Sequence, residues 1–272
     1  MATVAELISY PVKGCAGVSL HEAVLTDAGL AHDRGFMVVD PDGRFRSQRR
    51  DPLLAVVRPA VSADGERLTL RAPGVDDLCL EVDLDSARRD VTLFGDRYQG
   101  IDQGGAAAQW LSSLLGAPSR LVRVPPEHAR VTDGQTPGTS GYADSSAVHA
   151  ISSATLRELH RRLPGVPVPM SRFRPNIVID GWQEPHLEDR VRRVTIGNIE
   201  LAYAKLAIRC AVTLVDQRSG AKAGPEPLRT LATYRRAAGG GVAFGTKFSV
   251  LRQGKLAVGD EVEVQSWAES EL

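Results

Sequence analysis

Residues 35–48 read Gly35-Phe36-Met37-Val38-Val39-Asp40-Pro41-Asp42-Gly43-Arg44-Phe45-Arg46-Ser47-Gln48: an apolar run, four turn formers, and a second run back. Short β-type runs that meet at Asp, Pro and Gly predict a β-hairpin. The pattern recurs downstream. Residues 56–61 meet Ala63-Asp64-Gly65 before 67–71, and residues 91–94 meet Gly95-Asp96 before 97–101. Strands at such short intervals, without alternating helices, argue against a parallel α/β sheet and predict a β-barrel or sandwich for the first half.

Beyond these hairpins, Ala107, Trp110, Leu111, Leu114 and Leu115 recur at helical spacing, and Gly116 and Pro118 end a helix over 104–115. Residues 125–146, rich in Pro, Gly, Ser and Thr, read as a long loop. A second helix is expected over 153–163, capped by Ser152 or Ser153 and stopped by Pro164. Strands follow at 176–180, 193–196, 199–205 after a Gly197-Asn198 turn, 210–215, 248–251 and 261–264. A helix over 227–236 interrupts them, with Arg235 and Arg236 complementing its negative end. The sum is a mostly β protein with a few helices, an α+β chain divided into 1–124 and 125–272.

Bulk composition excludes several classes. The 272 residues carry 33 basic and 33 acidic side chains, for a formal charge of zero, so nothing in net charge recruits nucleic acid. With 43% hydrophobic and 24% charged residues the chain is an ordinary globular one. No stretch approaches the roughly 20 apolar residues that cross a bilayer, and the first residues lack the basic and apolar regions of an export signal. Cys15, Cys79 and Cys210 are too few and too scattered for a disulfide framework or a zinc knuckle. A cytoplasmic setting without a membrane partner is expected.

Cys210 follows Arg209 and precedes an apolar run, 211–215. An adjacent guanidinium favours the thiolate, a nucleophile and soft metal ligand. A single cysteine on a strand is also commonly a small buried hydrophobe. Basic residues recur beside turn formers: Lys13-Gly14, Asp33-Arg34-Gly35 and Arg172-Phe173-Arg174-Pro175-Asn176. They can converge on an anionic group in a cleft, or stand as solvated surface charges. The six histidines show no metal-ligand spacing and read as mostly structural. Gly138-Thr139-Ser140-Gly141 has the wrong spacing for a nucleophile elbow. Gly239-Gly240-Gly241, running on to Thr246-Lys247, lacks the order of a phosphate loop and reads as a mobile, substrate-accessible loop.

Several segments taken in order resemble the MOSC superfamily in its two-part form, an N-terminal MOSC β-barrel domain followed by a MOSC-type β-barrel domain. They are Tyr10-Pro11-Val12-Lys13-Gly14-Cys15, His32-Asp33-Arg34, Phe173-Arg174-Pro175-Asn176-Ile177-Val178-Ile179, Arg209-Cys210 with Val215-Asp216, Glu226-Pro227-Leu228 with Thr230-Leu231 and Tyr234-Arg235, Phe244-Gly245, and Val258-Gly259-Asp260. The resemblance is strongest to the amidoxime-reducing branch, which implies a molybdenum cofactor of the molybdopterin type and the reduction of N-hydroxylated compounds. Carried over by position, it implies Cys210 as molybdenum ligand and catalytic residue. Lys13, Gly14, Arg34, Ser145, Ser146, Arg174, Asn176, Arg209 and Lys247 are implied as cofactor-binding residues.

Two positions depart from the eukaryotic pattern, which has serine after the first lysine and two places before the ligand cysteine; this chain has Gly14 and Ile208. Hydrogen bonds there must be made by backbone or be absent. The clustered cysteines of the ferredoxin domain that some bacterial relatives carry are missing too, which implies a separate electron-donor protein. The alternative reading is a sulfur carrier or molybdenum-cofactor carrier that uses Cys210.

Overall fold

The computed structural model describes residues 1–272, mostly as strand with three α-helices. Two of the three predicted hairpins form. Arg58–Val61 pairs with Arg67–Ala72, and Arg88–Leu93 with Asp96–Asp102. The second hairpin turns at Phe94-Gly95, both with positive φ (56° and 98°), as a type I′ turn requires. A third strand, Val75–Glu81, extends the first hairpin; half-exposed along its length, it carries no clean alternation in sequence. The expected return limb 44–48 is not a strand. It makes single bridges, Val39 with Phe45 and Arg44 with Thr92, because its side chains are tied elsewhere: Arg46 to Asp51 and the Pro118 carbonyl, Gln48 to the Gly14 carbonyl.

Gly104–Leu115 is helical and ends on Gly116 at φ 64°. Its buried Ala107 and Leu111 pack on Leu54, Leu68 and Leu121. The second helix spans Ser153–Arg162, with Ser152 Oγ accepting from the Thr155 amide at 3.1 Å. The helix expected over 227–236 is a single turn, Leu228–Leu231. Past it the chain pairs instead with the start of the next strand, the Ala243 amide donating to the Arg235 carbonyl. Arg235 therefore caps no helix. It is buried in an ion pair with Asp189.

An eight-stranded sheet runs in the order Val262–Trp267, Val191–Ile196, Ile199–Arg209, Val242–Arg252, Val148–Ser152, Ile177–Asp180, Thr3–Ser9, Val18–Leu20. All its neighbours are antiparallel except Val148–Ser152 with Ile177–Asp180, which the second helix joins as a crossover. A five-stranded sheet holds Arg88–Leu93, Asp96–Asp102, Arg120–Arg123, Phe36–Val39 and Val12–Lys13. Division of the chain at 124/125 stays a proposal about chain segments. In space, the strands within residues 3–30, apart from Val12–Lys13, lie with the second half, because apolar Thr3–Ser9 pairs with Ile177–Asp180 and Glu22–Thr26 with Gly254–Ala257. The chain thus passes between the two sheets at 9–12, returns at 13–18, and crosses again at 30–36. These passages carry Tyr10, Lys13, Asp33 and Arg34.

Candidate functional site

A cleft between the two sheets encloses about 840 Å³, part of it open to solvent. It gathers Lys13, Gly14, Arg34, Ser146, Arg174, Asn176, Arg209, Cys210 and Lys247 from six stretches of chain. Ser145 lies outside it, in an adjoining groove. The first passage places Lys13 at the end of a two-residue strand, followed by Gly14 at φ 84°, a conformation that favours glycine. Lys13 Nζ pairs with Asp144 and lies 5.0 Å from the Phe94 ring centroid. Burial pulls the lysine's pKa down, and Asp144 works against that.

The passage at 30–36 delivers Arg34. Burial disfavours its charge, but Asp33 alongside more than offsets this and holds the guanidinium charged. Arg34 Nη1 donates to Asn176 Oδ1 at 3.0 Å. Arg34 and Arg174 both have left-handed backbone (φ 47° and 57°), a conformation that costs a non-glycine residue about 1–3 kcal/mol. Tyr10 serves both like charges: its ring centroid is 4.4 Å from the Arg34 guanidinium and 4.2 Å from that of Arg174. The tyrosine is pinned by its amide to Asp33 Oδ1 at 2.7 Å and by its hydroxyl to the Pro175 carbonyl at 3.1 Å. Burial pushes its pKa up to about 12 against those guanidinium groups, so it stays neutral.

From the larger sheet, Asn176 accepts from Arg34 and from the His149 amide and donates to the Ile8 carbonyl, so its amide fixes Arg34 in place. Arg209 ends the strand Ile199–Arg209 and donates from Nη2 to the Phe173 carbonyl at 2.7 Å. Its Nε and the Nε2 of His149 are buried without a hydrogen-bond partner. Lys247 Nζ donates to Ser145 Oγ at 2.6 Å. Burial lowers its pKa to about 8, helped by Arg209 and Lys205 and opposed by Asp144. Asp144 keeps 63% of its side chain exposed; crowding by protein would raise its pKa, and Lys13 and Lys247 overcome that and hold it low.

Cys210 does not open a strand, as the sequence suggested. It precedes a 3₁₀ turn, Ala211–Leu214, in which the Thr213 amide and hydroxyl both donate to the Cys210 carbonyl, at 3.1 and 3.0 Å. The turn lifts the side chain off the sheet, and Cys210 is exposed. Arg172 supports this turn from below through the Thr213 carbonyl and Asp216, and does not line the cleft. Cys15, by contrast, is wholly buried, and burial pushes its thiol up to about 12. No group of three or more His, Cys, Asp or Glu side chains is placed to hold a metal ion by itself.

Arg174, Arg209 and Lys247 have no carboxylate partner, so the cleft is cationic inside a protein of zero formal charge. Sequence reading missed several residues here. Gln48, His149 and Asp144 line the cleft without any spacing signal, and Phe173 lines it too although its motif pointed only to the arginines on either side of it. The adjoining groove meets the cleft at Cys210, Asp144 and Lys247, and has Phe45, Phe94, Ile208 and Val212 on its walls.

Sulfate keeps its charge between pH 7 and 9, whereas Lys247 loses its proton near pH 8. Sulfate affinity for the cleft should therefore fall as pH rises through about 8, by about tenfold. Lys247→Met should bind weakly at both ends of this range. Calorimetric titration checks this; wild-type affinity independent of pH would remove Lys247 from the anion site.

Two family models match the chain: the MOSC N-terminal beta barrel domain over residues 1–118, and the MOSC domain over residues 137–263. Mitochondrial amidoxime reducing component 2 of Rattus norvegicus is 36% identical over 284 residues, covering 96% of this chain and 83% of that protein. Mitochondrial amidoxime-reducing component 1 of Homo sapiens is 35% identical, covering 96% and 82%. A molybdenum cofactor sulfurase of Danio rerio is 31% identical over 264 residues, 89% of this chain and 31% of that protein.

Proposed function

The chain belongs to the MOSC family, and from that membership and the cleft we propose a molybdenum-dependent oxidoreductase that reduces N-hydroxylated compounds such as amidoximes and hydroxylamines. The observation that carries this reading is the exposed Cys210 thiol at the meeting point of a cationic cleft and an apolar-walled groove.

The residues present suit a molybdopterin-type cofactor. Arg174, Arg209 and Lys247 offer charge without carboxylate partners, and the buried Nε of Arg209 and Nε2 of His149 lack hydrogen-bond partners. Lys13, Arg34 and the Gly14 backbone would hold its anionic end with them, Ser145 and Ser146 would bond its periphery, and Cys210 would be the protein's ligand to the metal. When bound, such a cofactor supplies a two-electron centre for oxygen-atom transfer.

In the overall reaction the substrate N–O bond breaks. Two electrons come from a separate donor protein and two protons from solvent, and the products are the reduced nitrogen compound and water. The chain's own part is positional. Asn176 and Tyr10 fix the Arg34 and Arg174 guanidinium groups, the turn 211–214 presents the thiol, and Lys247 Nζ carries a proton at the junction below about pH 8. No helix is long and apolar enough to cross a membrane, and a cytoplasmic setting belongs to the same proposal.

The test is turnover of an N-hydroxylated amidine, with a reduced viologen as electron source, by protein made in a host that synthesises molybdopterin. Absence of turnover in cofactor-loaded protein refutes the reading. The relative named as a sulfurase and the exposed thiol favour sulfur carriage by Cys210 as the second reading. A reducible sulfur adduct in intact-mass measurement, without turnover, is its signature.

A further inference from the structure

The groove that meets the cleft at Cys210 encloses about 870 Å³, part of it open to solvent. Two rings form one wall: Phe45 and Phe94 meet edge to face, with centroids 4.9 Å apart and planes at 64°. Leu206, Ile208 and Val212 are the apolar residues that the larger sheet and the turn after it contribute. Phe94 keeps 48% of its surface exposed and Ile208 47%, so neither is spent on the core.

Phe94 is also the wrong residue for its backbone. It occupies the first central position of the hairpin turn at φ 56°, where Asn or Gly is strongly preferred and a bulky side chain is strained. A costly residue at an exposed tip, aimed at the mouth of the Cys210 site, needs a gain from elsewhere. Lys13 supplies part of it, since its ammonium lies 5.0 Å from the Phe94 centroid and 5.6 Å from that of Phe45. That contact takes up the rings on the Lys13 side and leaves the exposed part of Phe94 unaccounted for.

We propose that Phe94, with Phe45, is the specificity wall of the site and selects N-hydroxylated substrates that carry an aryl group. The aryl plane lies between the two rings and the Ile208–Val212 side, and the N–OH head reaches Cys210, Asp144 and Lys247 at the junction. The proposal rests on the reductase reading. Ile208, where the eukaryotic pattern has serine, makes the groove more apolar at the ligand's edge and fits the same substrate class.

The test compares benzamidoxime with acetamidoxime, which share a head and differ in the body. Phe94→Asn installs the residue that the turn prefers, so the hairpin should keep or raise its thermal midpoint. Equilibrium binding of both compounds is measured by NMR titration of holoprotein and cofactor-free protein, alongside kcat/KM for both. Wild type is expected to prefer benzamidoxime, and Phe94→Asn to lower that preference by about tenfold in both Kd and kcat/KM. Phe94→Tyr should retain it. A preference unchanged in Phe94→Asn overturns the proposal. If wild type turns over neither compound, the reductase reading fails, yet loss of the aryl binding preference in Phe94→Asn would still support the wall.

Discussion

Cys210→Ala is expected to remove N-hydroxylated substrate reduction, by more than roughly 100-fold, and to leave the fold as it is. The two halves of this expectation have separate causes. The side chain is exposed, and the hydrogen bonds of the turn that carries it run to its backbone carbonyl, which alanine keeps. Thermal stability should stay within about 0.5 kcal/mol of wild type. Function depends on the one sulfur at the junction of cleft and groove, which alanine deletes. Anaerobic turnover with excess chemical reductant, beside a melting curve, reads both halves. Activity within a few fold of wild type would end the ligand role.

Arg235→Met is expected to be the most destabilising single change away from the cleft. Arg235 and Asp189 are both buried and paired, and Thr246 Oγ1 lies 3.2 Å from the other Asp189 oxygen. Next to them Glu188 is fully buried, with Oε1 accepting from the Ser152 amide and Oε2 unpartnered. Burial pushes both carboxyl groups upward, and Arg235 is what opposes this at Asp189. Removing the guanidinium leaves a buried carboxylate uncompensated, at about 3–5 kcal/mol. Denaturant unfolding should show that loss, and Arg235→Met with Asp189→Asn should recover part of it. A loss below about 1 kcal/mol would mean that water reaches the pair.

The elements that local chemistry determines were readable in advance. Gly116 ends the first helix, Ser152 caps the second, and Asp64-Gly65 marks the hairpin of 58–61 with 67–72, whereas the turn expected at Gly95-Asp96 falls one residue earlier, at Phe94-Gly95. What failed depended on contacts distant in sequence. The helix after Pro227 stops because the chain from Arg235 pairs with Ala243, and the limb 44–48 is not a strand because Arg46 and Gln48 bond to Pro118 and Gly14. That Thr3–Ser9 and Glu22–Thr26 pair with the second half is likewise a matter of tertiary partners. At the site, the basic residues were visible because turn formers stand beside them in sequence, Gly14 after Lys13, Gly35 after Arg34 and Pro175 after Arg174, whereas the positive φ of Arg34 and Arg174 themselves leaves no mark. Asp144, His149 and the Phe45–Phe94 wall left none. An aspartate in a polar loop, a lone histidine and an aromatic at a turn look the same wherever they are.

The most direct measurement of the account is molybdenum and pterin content of protein produced in a molybdopterin-synthesising host, beside Arg209→Glu prepared in the same way. Wild type should carry molybdenum and pterin equimolar with the chain, and the charge reversal, which puts a carboxylate among Arg174, Lys247 and Cys210, should carry neither. Wild-type protein free of both, or an Arg209→Glu variant as fully loaded as wild type, would contradict the cleft as the cofactor's site.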